Sequence, residues 1–302
     1  MNLDVDLDQI QTTEFGVGMY QGGSREFAVI PANDAIQTLL LEIVRDTVQG
    51  IDNTLTPPEY DPANEYPPKE YVALAIDHEF ALPIAEVHGS DNLAFAVDPL
   101  QCLQQSFCYF ARFTDNDNRR VTALKRASQF KAMMGKQNRL VSLVTDTLRT
   151  VEVPVFQLNA DFDILVDSES VHIIHPAGFR VLGQVDESVA QAIPRNIERI
   201  EPLLPYVEWS NIQTYAASHP RAANLIASIR SRNYANNVNR VALLAQCKRE
   251  GIKLDTSQVK VVVPEDKILD FLDVVDRRRY ESNLVKGVRE HFRASNRERV
   301  NR

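Results

Sequence analysis

Residues 14–30, EFGVGMYQGGSREFAVI, set the fold class because a glycine-rich turn separates two short apolar runs. This pattern predicts a β-hairpin. Residues 33–50, NDAIQTLLLEIVRDTVQG, then repeat apolar residues at helical spacing, with a capping residue at the start and a glycine just past the end. They predict a helix that packs against the core. A hairpin followed by a helix indicates a mixed α+β fold rather than an all-α or all-β one.

The rest of the chain mixes strands and helices without a regular βαβ repeat, which again indicates the α+β class. Residues 51–70 contain five prolines and predict an extended loop or linker. Predicted strands lie at 72–76, 107–113, 121–126, 152–158, 162–166, 171–174 and 260–263, and predicted helices at 127–135, 185–200, 209–230, 236–250 and 264–275. We expect an N-terminal hairpin-plus-helix α+β domain over 1–150 and a strand-then-helix α+β domain over 151–302.

The cysteine content and the N-terminal sequence indicate the cellular compartment of the protein. The 302 residues include three cysteines, Cys102, Cys108 and Cys247, an odd number without CxxC spacing. This disfavours a disulfide framework or a zinc motif and suits a reducing cytosol. The acidic start MNLDVDLDQI lacks the features of a signal peptide, and no run of 18 uncharged apolar residues is present. We therefore expect a cytoplasmic protein that reaches a membrane only through a partner.

Charge is distributed unevenly along a chain whose formal net charge is −8. Residues 1–111 hold 18 acidic and three basic residues, whereas residues 219–302 hold ten acidic and 18 basic residues. Residues 112–150 form a second basic stretch. Such asymmetry favours an interaction surface for a polyanion, or packing of the acidic part against the basic part within one fold.

Three groups of basic residues are the candidate DNA contacts. The first comprises Lys125, Arg126, Lys131, Lys136 and Arg139, the second Arg230, Arg232 and Arg240, and the third Arg277, Arg278 and Arg279. Arginine pairs with phosphate oxygens in a planar, bidentate way, and such binding is salt-dependent and largely independent of sequence. The sequence contains no helix-turn-helix, zinc-finger or RNP motif, so base-specific readout is not indicated. Each group could alternatively be a solvated face.

Two aspartates offer a competing, catalytic interpretation. On a strand, Asp161 and Asp163 of DFDILVDSE share one face and could hold a magnesium ion for phosphodiester cleavage. A nuclease of the D…ExK type also needs a lysine near its second carboxylate, and no lysine occurs from residue 137 to 247. Glu265 and Lys267 are the remaining candidates for an acidic residue and a lysine that would complete such a site. The residue pattern itself therefore predicts no catalytic residue, metal or cofactor.

Three segments resemble the KwaB family of the Kiwa anti-phage defence system. They are DFDILVDSESVHIIHPAGF at 161–179, VKVVVPEDKILDFLDVVDRRRYESNL at 259–284 and, more loosely, YFARFTDNDNRRVTALKR at 109–126. The resemblance covers most of 107–300, although REHFRASNRER at 289–299 departs from the tail expected for the family.

The resemblance implies a non-catalytic protein that binds double-stranded DNA without strong sequence preference. It also implies a partner, the membrane protein KwaA, through which the chain acts peripherally at the inner membrane. Bound protein would then obstruct phage DNA replication and transcription. Charge alone suggests that residues 1–111 serve a homodimer or partner contact. A metal-dependent nuclease and a non-catalytic protein scaffold remain the alternatives.

Overall fold

A computed structural model describes residue 1 and residues 3–51, 57–66, 71–127, 141–144, 147–150, 156–255, 260–282 and 290–294. The chain forms two compact units. The first comprises Met1–Glu59 and Pro68–Gly183, and the second comprises Tyr60–Pro67 and Gln184–Arg302. Helices and antiparallel strands are both present, which confirms the predicted α+β class.

The strands of the described chain are β1 (Ile10–Gln21), β2 (Ser24–Ile30), β3 (Val72–Ala75), β4 (Ser106–Asp115), β5 (Arg120–Arg126), β6 (Val141–Val144), β7 (Thr147–Thr150), β8 (Ile164–Val166), β9 (Ser170–Ile173), β10 (Arg279–Ser282) and β11 (Glu290–Arg293). Seven of these described strands form one antiparallel sheet in the order β2-β1-β4-β5-β8-β9-β3. The pairs β6–β7 and β10–β11 each form a two-stranded sheet.

The helices of the described chain are α1 (Asp34–Gln49), α2 (Leu82–Gly89), α3 (Pro99–Gln105), α4 (Pro176–Leu182), α5 (Val185–Ile200), α6 (Ser210–Ser218), α7 (Pro220–Ser231), α8 (Arg240–Arg249) and α9 (Ile268–Val275). The first four belong to the first unit and the other five to the second.

The predicted N-terminal hairpin and helix are both confirmed. Strands β1 and β2 join through Gly22 and Gly23, whose φ angles are 59° and 88°. A two-residue type I′ hairpin turn requires a positive φ at both of its central residues. The side chain of Asn33 accepts a hydrogen bond from the Ile36 amide and caps α1, and the helix ends at Gly50. Helix α1 turns buried residues such as Leu40 into the core of the first unit.

Most later elements also match their predictions. The second hairpin forms from β4 and β5, and α5 spans the predicted range. The helix predicted over 209–230 is two helices, α6 and α7, because Pro220 lacks the N–H that a continuous helix needs and begins a new one instead. Residues 260–263, predicted as a strand, form only isolated bridges, from Val261 to Val207 and from Val262 to Asp255.

The main boundary between the two units follows Gly183, whereas the predicted domain boundary lies near residue 150. Strand β8 pairs with β5, and β9 pairs with β3, so the chain up to Gly183 completes the sheet of the first unit. Residues 60–67, predicted as part of a linker, belong to the second unit. The predicted basic helix at 127–135 lies almost entirely outside the described residues, as do residues 152–155.

Candidate nucleic-acid interface

The arginine triplet 277–279 lies where helix α9 ends. The Arg277 amide donates to the Val274 carbonyl at 3.0 Å, and the Arg278 amide donates to the Asp273 carbonyl at 2.7 Å. These two bonds form a Schellman motif, in which Arg277 has a left-handed φ of 58° at the position that glycine usually takes. The turn places the three side chains in different environments: Arg277 is exposed, Arg278 is buried and Arg279 is half-buried.

Arg278 is a core residue with 0% exposure. Its Nε donates to Asp276 at 2.6 Å, and its terminal nitrogen Nη2 lies 2.9 Å from Asn64 and 3.9 Å from Asp61. A side chain with no exposed surface does not reach a phosphate. Arg278 is therefore not positioned for the predicted DNA contact and instead neutralises buried aspartates.

Arg279 is engaged by carboxylates of helix α9. It forms an ion pair with Asp270 and lies 3.7 Å from Asp273. Asp273 is also 2.9 Å from Arg293 and 3.4 Å from Arg221. Burial raises the pKa of Asp273 above its ordinary value, although the neighbouring guanidinium groups act in the opposite direction. Arg279 therefore helps to hold strand β10 against the helix and offers little free charge.

Arg277 and Arg232, a member of the second predicted group, contact the same tyrosine. The guanidinium carbon of Arg277 is 4.7 Å from the centre of the Tyr234 ring, a cation–π distance. The Arg232 side chain interacts with Tyr234 through a hydrogen bond, and its Nε donates to Asp61 at 2.9 Å. Burial lowers the pKa of Arg232, but Asp61 and Tyr234 outweigh this and raise it. We call Arg277, Tyr234 and Arg232 the Arg277 surface.

The other two residues of the second group lie on helices. Arg240 is exposed, begins α8 directly after its capping residue Asn239, and stacks over Tyr206 with 5.3 Å to the ring centre. Arg230 is half-buried in the last turn of α7. The structure thus joins Arg277 and Arg232, two residues 45 positions apart, which the sequence assigned to different groups.

The first predicted group belongs to the first unit and is described only in part. Lys131, Lys136 and Arg139 lie outside the described residues. Lys125 is mostly buried, and its ammonium lies 2.8 Å from both Asp161 and Asp163. Burial lowers the pKa of Lys125, but the two carboxylates outweigh this and raise it. The side chain of Arg126 is exposed.

The lysine that the catalytic interpretation lacked is therefore Lys125 of strand β5. Sequence spacing missed it because β5 pairs with β8 across the β6–β7 hairpin, which brings Lys125 beside Asp161 and Asp163. The Asp161 carboxylate also accepts a hydrogen bond from Nε2 of His175 at 2.8 Å. Burial raises the pKa of Asp161, but Lys125 and His175 outweigh this and lower it. The ammonium lies between the two carboxylates, where a metal ion would have to bind.

Among the described residues, no group of three or more His, Cys, Asp or Glu side chains is arranged to hold a metal ion. Lys267, proposed to complete a nuclease site, belongs to the second unit and lies 3.8 Å from Asp266 and from Asp270. His172 of β9 bonds to Asp167 at 2.9 Å and to Tyr71 at 2.8 Å. Those bonds satisfy both ring nitrogens of His172 within the first unit.

A comparison with models of protein families shows the family to which the chain belongs. The model of the family described as Kiwa protein KwaB-like matches residues 103–285, more than half of the 302 residues. The chain belongs to the KwaB-like family. Membership of this family suggests a role in Kiwa anti-phage defence. No curated protein and no solved structure matches the chain.

The KwaB-like match covers the residues described above. It runs from helix α3 to just beyond β10 and so includes Lys125, Asp161, Asp163 and the Arg277 surface. The hairpin β1–β2 and helix α1 lie before it, and the divergent stretch at 289–299 lies after it. Within the part of the chain that the structure describes, no helix is both long enough and apolar enough to span a membrane.

Proposed function

We propose that this KwaB-like protein binds double-stranded DNA through the Arg277 surface, without base-specific readout, as its part in Kiwa anti-phage defence. The observation that carries the proposal is the exposed Arg277 side chain at a left-handed backbone position. An L-residue other than glycine at such a position costs about 1–2 kcal/mol relative to the right-handed region. Strained positions of this kind cluster at functional sites, so an exposed arginine there favours a role in binding.

The geometry of the Arg277 surface suits a phosphate backbone. The guanidinium of Arg277 lies over the Tyr234 ring, and its N–H groups are donors whose spacing matches phosphate oxygens. Arg232, which is paired with Asp61, is hydrogen-bonded to the same tyrosine side chain and supports it from the protein side. Contacts to phosphates position a protein on DNA but carry no sequence information, which supports non-specific binding.

The remaining parts of the proposal follow from the family resemblance. We propose that the protein is not an enzyme and that DNA-bound protein obstructs phage replication and transcription. We further propose that it acts as a homodimer with the membrane protein KwaA, which would bring it to the inner membrane. Family membership supports the defence setting of this proposal.

The test compares two variants that each lose one exposed arginine of the second unit. Arg277→Gln removes the proposed contact, and Arg199→Gln, on α5, is the matched control for the loss of charge. We expect Arg277→Gln to weaken retention of linear double-stranded DNA about tenfold or more, because a hydrogen bond to a charged group contributes about 1.5–3 kcal/mol. Arg199→Gln should change it by no more than about twofold, because a surface charge that makes no phosphate contact is largely screened at moderate salt.

The salt dependence provides a second readout. If Arg277 contacts one phosphate, the slope of log K against log salt should fall by about 0.9 in Arg277→Gln and stay unchanged in Arg199→Gln. Equal affinities and equal slopes for both variants would remove Arg277 from the DNA contact and contradict the proposal.

A further inference from the structure

Asp61 lies at the centre of the contacts behind the Arg277 surface. It comes from the segment Tyr60–Pro67 of the second unit and is only 2% exposed. We propose that Asp61 is a positioning residue for DNA binding: it acts through its neighbours on Arg277 and does not touch the nucleic acid. This inference rests on the proposed function, because it explains how that surface keeps its shape.

The first connection runs through the residues on either side of Arg277 in the chain. Asp276 and Arg278 bond to each other at 2.6 Å. Arg278 is also 3.9 Å from Asp61, and the Ser228 hydroxyl lies 2.9 Å from Asp61 and 3.0 Å from Asp276. A buried, charged network of this kind holds the turn on both sides of Arg277.

The second connection runs through the aromatic ring on which Arg277 stacks. Asp61 accepts a hydrogen bond from Nε of Arg232 at 2.9 Å, and Arg232 in turn bonds to Tyr234. The Tyr234 ring carries the Arg277 guanidinium. Asp61 therefore fixes both the backbone of Arg277 and the surface against which its side chain rests.

The two physical effects of Asp61 on DNA binding have opposite signs. A carboxylate near a DNA-binding surface repels phosphates, so its removal should tighten binding if charge alone matters. If Asp61 positions Arg277, removal of its charge should weaken binding even though the protein becomes more positive. The sign of the change therefore decides between the two effects.

The experiment measures retention of linear double-stranded DNA by the full chain carrying Asp61→Asn. Glu65→Gln is the matched control, since Glu65 belongs to the same segment, has a side chain that is 70% exposed and lies 3.7 Å from Arg221. We expect Asp61→Asn to bind DNA about fivefold more weakly than the wild type, less than the loss in Arg277→Gln, because a misplaced guanidinium keeps its charge near the DNA. Glu65→Gln should bind as tightly as the wild type or more tightly.

A thermodynamic cycle separates positioning from a general loss of structure. If Asp61 acts through Arg277, the double variant Asp61→Asn/Arg277→Gln should bind within about twofold of Arg277→Gln alone. A purely structural effect would instead add to the loss in the double variant. Circular dichroism at the assay temperature establishes that each variant is folded.

A second variant decides the question if Asp61→Asn does not fold. Ser228→Ala removes the hydroxyl that joins Asp61 to Asp276 without any change of charge. We expect it to weaken DNA retention about threefold, in keeping with the loss of one hydrogen bond. Wild-type retention by folded Ser228→Ala would overturn the inference.

The outcomes distinguish this inference from the proposed function. If the wild-type chain does not retain DNA at low salt, the proposed function fails and the positioning role fails with it. If the wild type retains DNA and Asp61→Asn retains it equally or more tightly, only the positioning role of Asp61 is overturned. Weaker retention by Asp61→Asn with a non-additive cycle supports both.

Discussion

Arg277 and Arg278 are adjacent in the chain and lie in opposite environments. The left-handed conformation of Arg277 turns one side chain outward onto Tyr234 and the next inward onto Asp276. A run of three arginines usually indicates a solvated basic patch, and in this fold it is divided between surface and core. The two residues should therefore respond differently to the same substitution.

We expect Arg278→Gln to lower the free energy of unfolding by about 3–5 kcal/mol, because it leaves buried carboxylates without their partner. Arg277→Gln should change it by no more than about 1 kcal/mol, since only an exposed cation–π contact is lost. Urea unfolding at neutral pH, followed by circular dichroism, measures both values. Equal changes for the two variants would contradict the opposite environments of these neighbours.

Arg277→Gly separates stability from function at a single residue. Glycine suits the left-handed position but gains entropy in the unfolded chain, two effects of about 1 kcal/mol each that largely cancel. We expect an unchanged midpoint of urea unfolding together with the same loss of DNA retention as Arg277→Gln. A stable variant with wild-type retention would show that the left-handed arginine has no role in binding.

The sequence indicated the charge of this site but not its arrangement. Helix α9 was predicted to end near Val275, and the arginines after it were assigned to one group. Which of them faces the core depends on Asp61 and Asn64, more than 200 residues earlier in the chain. A contact at such sequence separation has no signal in local periodicity, so Asp61 was missed.

The burial of the cysteines predicts which thiol reacts in the folded protein. Burial raises the pKa of Cys108 to about 12 and that of Cys247 to about 11, so neither forms a thiolate at neutral pH. Cys102 is only partly buried. We expect a maleimide reagent to modify the folded protein rapidly at Cys102 alone, as peptide mass spectrometry would detect. Rapid modification of Cys108 would contradict the buried position of β4.

At the scale of elements, the pairing of β5 with β8 creates the cluster of Lys125, Asp161 and Asp163. The strands themselves were predicted from apolar periodicity. Their order in the sheet was not, because β6 and β7 lie between them in the chain and pair with each other. Local patterns define strands, whereas packing of the whole sheet decides which strands become neighbours, so the lysine beside the aspartates could not be predicted.

This cluster makes a prediction about catalysis. Since the Lys125 ammonium lies between the two carboxylates, we expect the protein to leave linear DNA intact in the presence of magnesium. Asp163→Asn should still retain DNA, while its stability falls by about 3 kcal/mol through the loss of a buried ion pair. The length of the DNA on a denaturing gel is the readout. Cleavage by the wild type that Asp163→Asn abolishes would restore the nuclease interpretation.

Two aspartates of the first unit, Asp161 and Asp167, predict how the stability of the protein responds to acid. Burial raises the pKa of Asp161 and of Asp167, but hydrogen bonds outweigh burial, and both pKa values are lowered. The donors are Lys125 and His175 at Asp161, and His172 at Asp167. The unfolded carboxyl, with a pKa of about 3.9, then binds protons more readily than the folded one. The stabilisation is present above that pKa and is lost as the pH falls through the lower folded value.

We therefore expect the free energy of unfolding to fall steeply below about pH 4, and to fall less steeply in Asp167→Asn. Urea titrations at several pH values between neutral and strongly acidic measure the slope. An identical acid slope in the wild type and in Asp167→Asn would contradict the contribution of the Asp167–His172 pair.

At the scale of the whole molecule, charge and structure divide the chain in similar but not identical ways. The first unit holds 24 acidic and 13 basic residues, and the second holds 17 acidic and 20 basic residues. The boundary predicted near residue 150 lies before the strand expected at 152–158, whereas the sheet of the first unit extends to β9. Composition locates the more basic half of the chain, but strand pairing decides where a unit ends.

The net charge of each unit is a poor guide to how much positive charge its surface exposes. Many basic side chains of the second unit are paired with carboxylates, as Arg278 and Arg279 are, so they add little to the outer field. The proposed binding rests on few free guanidinium groups. A small number of phosphate contacts should give a moderate salt slope, about 0.9 for each phosphate neutralised.

The most direct measurement is a gel-shift titration of the full chain with linear double-stranded DNA across a salt series, with magnesium present. DNA binding through the Arg277 surface predicts retention at low salt that weakens linearly on a log–log plot, a smaller slope in Arg277→Gln, and DNA of unchanged length. Absence of a shift at the lowest salt, or a shift with the same slope in Arg277→Gln, would contradict it.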